Sequence, residues 1–156
     1  VELREAQSKV EKTTSQTGMV VTIDLGNPDN IHPARKQEVG ERLAGIALSE
    51  TYGKNVPNKF PQLKSARQKG ESVVLNFTNV YRGLKVLNNQ QVFELSADGK
   101  NYYPADMKVF TNTIQLNCAK LVRPKFVRYC WDDISAGTVF NSADLPLSSF
   151  QTEIKQ

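Results

Sequence analysis

Two rhythms of apolar and polar residues divide the chain. In the first third, Leu3, Ala6 and Val10 recur at spacings of three and four, with Arg4, Glu5, Lys9 and Glu11 between them, and this pattern predicts an amphipathic helix. The run Thr13-Thr14-Ser15-Gln16-Thr17-Gly18 is small, polar and β-branched, so it predicts a loop. Met19-Val20-Val21-Thr22-Ile23-Asp24-Leu25 is almost continuously apolar between Gly18 and Gly26, the pattern of a parallel strand buried on both faces. Pro33 then suits the first turn of a second helix. Its stripe is Val39, Leu43, Ile46 and Ala47, with Arg35, Lys36, Glu38, Glu41 and Arg42 directed elsewhere. Gly40 and Gly45 are expected to be close-packing points in this helix, and Tyr52-Gly53-Lys54 its stop.

From Asn55 to Gly70 the chain turns to Pro, Asn, Lys and Gln, with Pro57 and Pro61 opposing helix, and a linker is predicted there. Beyond it the period becomes two. Val73, Leu75 and Phe77 alternate with Val74, Asn76 and Thr78, and Ile114, Leu116 and Cys118 with Gln115 and Asn117. Val92-Phe93-Glu94-Leu95, the tight-turn pair Asp98-Gly99 and Asn101-Tyr102-Tyr103 predict a hairpin, while Met107–Phe110 and Phe126–Trp131 add two strands. The fold class expected is therefore α/β over residues 1–54, a linker over 55–70 and a small all-β, sandwich-like domain over 71–156.

Composition narrows the function classes. The formal net charge of +4 comes from 20 basic and 16 acidic residues scattered without a dense basic run, which gives nucleic-acid binding little support. No stretch approaches the roughly twenty apolar residues of a membrane span, and Val1-Glu2-Leu3-Arg4-Glu5 lacks the apolar segment of a signal peptide. The chain opens without Met and in what reads as mid-helix, so an upstream part is expected to have been removed. Cys118 and Cys130 fit no metal spacing; they are either one disulfide or two separate core residues on neighbouring strands. With a single histidine and no Cys-x-x-Cys, neither a structural zinc site nor a cofactor is expected.

That histidine, His32, is the candidate for chemistry, with Asp29 three residues before it. A neutral imidazole accepts a proton near pH 7, and a nearby carboxylate can fix its tautomer and stabilise the imidazolium. The same residues also suit a plain loop entering a helix. In open parallel sheets the ligand site lies beyond the carboxyl ends of the strands, which is where a strand over 19–25 would deliver this loop. Gly70-Glu71-Ser72 has the look of a hydrolase nucleophile setting, but it precedes a strand and has no helix after the serine, so it reads as a surface turn. Trp131-Asp132-Asp133 reads as a core aromatic followed by an Asx turn, and Tyr102-Tyr103 as braces of the hairpin.

Four stretches together resemble the C-terminal part of the sialate O-acetylesterase family, within the SGNH hydrolases. They are Leu3-Arg4-Glu5-Ala6-Gln7, Met19–Gly26, Asp29-Asn30-Ile31-His32-Pro33 and Lys36–Ala44, joined downstream by Val127-Arg128-Tyr129-Cys130-Trp131, Phe140-Asn141, Leu145-Pro146 and Ser149-Phe150. The resemblance implies the C-terminal part of a three-layer SGNH-type α/β hydrolase domain followed by the β region. It also implies a secreted or periplasmic carbohydrate esterase that cleaves acetyl esters of sialic acid or related glycans through a serine nucleophile. His32 matches the family's general base and Asp29 the carboxylate that orients it. The family's serine and its oxyanion-hole glycine and asparagine lie upstream of anything in this chain. On that reading the chain alone is a poor esterase, and its partner is the serine-bearing N-terminal part of the same enzyme.

A physical expectation agrees. Two amphipathic helices and one doubly apolar strand cannot bury themselves, so residues 1–52 should expose a large apolar patch until a partner covers it. The alternative class is a non-catalytic carbohydrate-binding or interaction module that works through aromatics such as Tyr81, Tyr102 or Trp131.

Overall fold

The computed structural model describes residues 1–88 and 90–156. It opens with two helices, α1 (Glu2–Thr13) and α2 (Lys36–Glu50), and continues with strands only. One antiparallel sheet has the order β1 (Gln62–Lys69), β2 (Ser72–Thr78), β7 (Thr113–Asn117), β6 (Asp106–Val109). The other runs β10 (Phe150–Glu153), β8 (Phe126–Tyr129), β4 (Phe93–Ser96), β5 (Tyr103–Pro104), and a small ribbon pairs β3 (Leu84–Val86) with β9 (Val139–Asn141).

The period-two pattern supplies the core between the sheets. Val73 and Leu75 of β2 with Ile114 and Leu116 of β7 face Phe93 and Leu95 of β4 with Val127 and Tyr129 of β8, all sealed from solvent. Each such side chain contributes about 1.5–3 kcal/mol relative to exposure. The Tyr129 ring lies 4.8 Å from Phe93 and 5.9 Å from Phe150 between centroids. Its hydroxyl accepts hydrogen bonds from the N–H groups of Thr138 (3.1 Å) and Val139 (3.2 Å), which ties β9 to the core. Asn141 is also fully buried, and both ends of its amide are used. Its Nδ2 donates to the carbonyls of Lys59 (3.0 Å) and Asn79 (2.9 Å), and its Oδ1 accepts from Ala143 (3.0 Å) and Leu145 (3.1 Å). A buried amide satisfied in this way fixes one arrangement of the segments it joins.

The β4–β5 hairpin forms at Asp98-Gly99 as expected, with Leu95 opposite Tyr103. Several expectations are corrected. Residues 62–69 of the expected linker form strand β1, paired with β2 from Gln62↔Thr78 to Lys69↔Ser72. It is an edge strand in which only Ala66 is buried, so its Lys, Gln and Arg side chains hide the alternation. Residues 19–25 are not in a strand, since no neighbouring strand within the described residues pairs with them; the α/β arrangement expected for residues 1–54 does not appear within this chain, which shows two helices and no strand there. Helix α2 begins at Lys36, three residues later than Pro33 suggests. A Cβ at Gly40 would meet open space and one at Gly45 only the Pro57 carbonyl, at 3.5 Å, so neither is a tight packing point. Trp131 is half-buried rather than in the core.

Neither helix buries a residue. Leu3 and Val10 on α1 are 72% and 58% exposed, and Leu43 and Leu48 on α2 are 51% and 40% exposed. Among the described residues no helix is long and apolar enough to cross a membrane.

Candidate active site

The segment that leads to the site is held without a sheet. Val21 and Leu25 are buried, and Val21 packs with Phe60 and Leu145 in a second, smaller core that Ile46 of α2 also joins. Ile23 reaches the main core and sits against Gly137, where an added Cβ would fall 2.6 Å from its Cγ2. Gly18 makes the same kind of close approach to Ile46 Cγ2, also at 2.6 Å.

Polar contacts add to this anchoring. Arg42 of α2 grips the Asp24 carboxylate with both ends of its guanidinium, Nη1 to Oδ1 at 2.7 Å and Nη2 to Oδ2 at 2.6 Å. Its Nη1 also donates to the Val21 carbonyl at 2.6 Å, and the two side chains are only 10% and 9% exposed. Arg35 donates to the Asp24 carbonyl (3.2 Å) and to Glu38 (2.7 Å), and beside it the Glu38 carboxyl is held below its usual range. A bidentate arginine–carboxylate fork fixes orientation as well as distance.

Beyond Leu25 the chain forms two successive Asx turns. Asn27 Oδ1 accepts from the Asp29 N–H at 2.9 Å, and Asn30 Oδ1 accepts from the His32 N–H at 2.8 Å. Asn27 and Asn30 are thus absorbed by the backbone, and the side chains of Asp29 and His32 project from an exposed loop. No hydrogen bond or ion pair joins those two side chains. Both side chains are open to solvent.

Two clefts adjoin this region. One of about 250 Å³ is bounded by Arg4, Gly26, Asn27, Pro28, Ile134 and Ser148. The other, about 420 Å³, lies between α1 and the sandwich and is bounded by Lys9, Thr17, Phe60, Gln62, Ser149 and Gln151. Asp29 and His32 line neither. Arg4 docks α1 onto the sandwich by donating to Ser149 Oγ (3.1 Å) and to the carbonyls of Cys130 (3.2 Å) and Asp132 (2.5 Å).

The other sequence candidates have structural roles. Gly70 makes the β1–β2 turn at φ +60°, and Ser72 Oγ donates to Asn117 Oδ1 (2.6 Å) and accepts from Gln115 (2.7 Å). Asp132 caps an Asx turn by accepting from Ile134 (2.9 Å) and Ser135 (2.5 Å). Burial alone would raise its carboxyl, but a hydrogen bond from the Ser135 hydroxyl, together with these two backbone bonds, outweighs it and holds the group below its ordinary range. Cys118 and Cys130 are free thiols. The Tyr102 ring lies under the Arg128 guanidinium at 3.8 Å, while Tyr81, 48% exposed, accepts through its hydroxyl from Asn58 (3.1 Å) and Lys59 (3.0 Å). Among the described residues no three His, Cys, Asp or Glu side chains gather as a metal site.

Sequence reasoning missed Asp24 and Arg42. Arg42 reads as a solvent-facing helix residue and Asp24 as part of an apolar run. A carboxylate inside such a run was the available signal, because a buried charge needs a partner.

No family model and no curated protein matches the chain. Among solved structures, a carbohydrate acetylesterase from Xanthomonas citri matches over 96% of this chain with a TM-score of 0.87 and 33% sequence identity. The chain is similar to part of a carbohydrate esterase. It spans about a third of that neighbour, 35% of its length. With 96% of the chain covered, the likeness is not confined to the β region.

Proposed function

We propose that this chain is the Asp29- and His32-bearing portion of a carbohydrate O-acetylesterase. The observation that carries the reading is the likeness to the acetylesterase at 33% identity over 96% of the chain, together with an exposed loop that presents an imidazole and a carboxylate. His32 takes the proton of a serine hydroxyl as that oxygen attacks the acetyl carbonyl. It then gives a proton to the departing sugar oxygen, and finally activates the water that frees acetate. Asp29 orients the imidazole and stabilises its charged form. The substrate class is an O-acetylated sugar, sialic acid or a related glycan, and the setting is outside the cytoplasm, secreted or periplasmic.

The serine and the oxyanion donors come from the N-terminal part of the same SGNH-type enzyme. That part is the partner proposed for the bare apolar faces of α1 and α2. Preorganised oxyanion donors usually supply the largest share of rate in acyl transfer, so a chain without them should turn over slowly. The test is acetate release from O-acetylated sugars by the chain alone and by the chain joined to its serine-bearing part. Activity confined to the joined form is expected. Full activity of the chain alone, or none in the joined form, overturns the proposal.

A further inference from the structure

Residues 26–35 carry the proposed catalytic loop, yet none of them is buried, and only Pro33 is even half-buried. Their own Asx turns shape the loop locally but do not say where it stands on the molecule. That is decided by its ends. At one end Leu25 is buried and Asp24 lies five residues before Asp29; at the other, Arg42 sits on α2 ten residues after His32. The Asp24–Arg42 fork joins those ends directly, and the Arg42 bond to the Val21 carbonyl holds the segment that would otherwise need a strand partner.

We infer that Arg42 is a positioning residue for the proposed reaction, acting through Asp24 as the latch that sets where the Asp29–His32 loop stands. The inference rests on the esterase reading for its role in catalysis, but the latch itself concerns the fold. Lysine cannot reproduce the contact: a single ammonium cannot span both carboxylate oxygens and the Val21 carbonyl with the same planar fork. Arg35 helps at the carbonyl of Asp24, but its side chain is about half exposed and already paired with Glu38, so it cannot replace Arg42.

The experiment is measurement of backbone amide order parameters by NMR relaxation on the full chain, compared with kcat and KM for an O-acetylated sugar in the complete enzyme. Three variants are used: Arg42→Met, Arg42→Lys and Asp24→Asn. For Arg42→Met and Asp24→Asn, the order parameters over residues 21–35 are expected to fall from the rigid-backbone level of about 0.85 towards about 0.6 or below, while β2, β7 and β8 keep theirs. kcat is expected to fall about a hundredfold with KM little changed, the signature of a misplaced base rather than of lost substrate binding. Arg42→Lys should fall between these and the parent. If Arg42→Met does not fold, Arg42→Lys and Asp24→Asn carry the same comparison.

Order parameters over 21–35 that match the parent, or that fall equally through the sandwich, overturn the latch. A freed loop in an enzyme whose hydrolysis is indifferent to His32→Ala overturns the esterase reading and leaves the latch standing.

Discussion

Gly137→Ala tests how the site is mounted on the sandwich. A Cβ at Gly137 would lie 2.6 Å from Ile23 Cγ2, with Tyr129 Oη at 3.4 Å and the Leu147 carbonyl at 3.7 Å on its other sides. Ordinary carbon contacts sit near 3.5–4.0 Å, so about 1 Å must open. Ile is stiff at χ1 and cannot swing its Cγ2 aside cheaply, so the segment carrying Ile23 has to move. Overpacking of this kind costs about 1–3 kcal/mol. The smaller entropy of the unfolded alanine chain returns about 0.4–1 kcal/mol, because Gly137 has no left-handed φ to preserve. A net loss of about 1–2 kcal/mol is expected by urea unfolding, or roughly 2–8 °C in Tm. Ile23→Ala also destabilises, but it removes the clashing methyl. In that background Gly137→Ala should cost nothing further, giving a coupling of about 1–2 kcal/mol in the double-mutant cycle. Equal cost of Gly137→Ala in both backgrounds, or no cost in the parent, would refute this view of the docking.

Two solution measurements address the sandwich. Asp98 accepts from the N–H groups of Asn101 (2.8 Å) and Lys100 (2.9 Å), from the Asn101 side chain (2.8 Å) and from the Ser96 hydroxyl (2.9 Å), and these bonds hold its carboxyl well below the ordinary range. A depressed carboxylate contributes its stabilisation in full above its unfolded value of about 3.9 and loses it only as pH falls through the lower folded value. The amide shifts of Lys100 and Asn101 should therefore titrate below the ordinary carboxylate range, and a midpoint at or above it would contradict the turn geometry. Cys130 is 2% exposed and burial pushes its thiol up to about 12, so a thiol reagent at neutral pH should label Cys118 alone in the folded chain and both cysteines after denaturation. Rapid labelling of both without denaturant would contradict the burial.

The sandwich was readable because alternation reports burial directly. Val73, Leu75, Ile114, Leu116 and Val127 each fall on the inward face of a half-buried strand, and Asp98-Gly99 carries its own turn chemistry. Edge strands were harder. β1 buries only Ala66, β10 buries none of its residues, and β3 and β9 are three residues long, too short for a period to stand out. Residues 19–25 show the opposite failure: an apolar run states a preference for burial but cannot name the strand that would pair with it. Phe60, Leu145 and Ile46 meet that preference here, together with the approach of Ile23 to Gly137.

In the site, Asp29 and His32 stood out because the histidine has no other copy in the chain and its neighbours suit a loop. The partnership of Asp24 with Arg42 spans eighteen residues and two different elements, so no local spacing announces it. Asn27 and Asn30 read as generic turn residues, and only the geometry gives each a specific amide to accept.

The role of His32 is tested most directly by acetate release from an O-acetylated sugar in the complete enzyme, comparing the parent with His32→Ala and following the fold of both by circular dichroism. A loss of about a thousandfold or more in kcat with an unchanged fold is expected if His32 is the general base. Activity of the His32→Ala enzyme within about threefold of the parent would contradict that role.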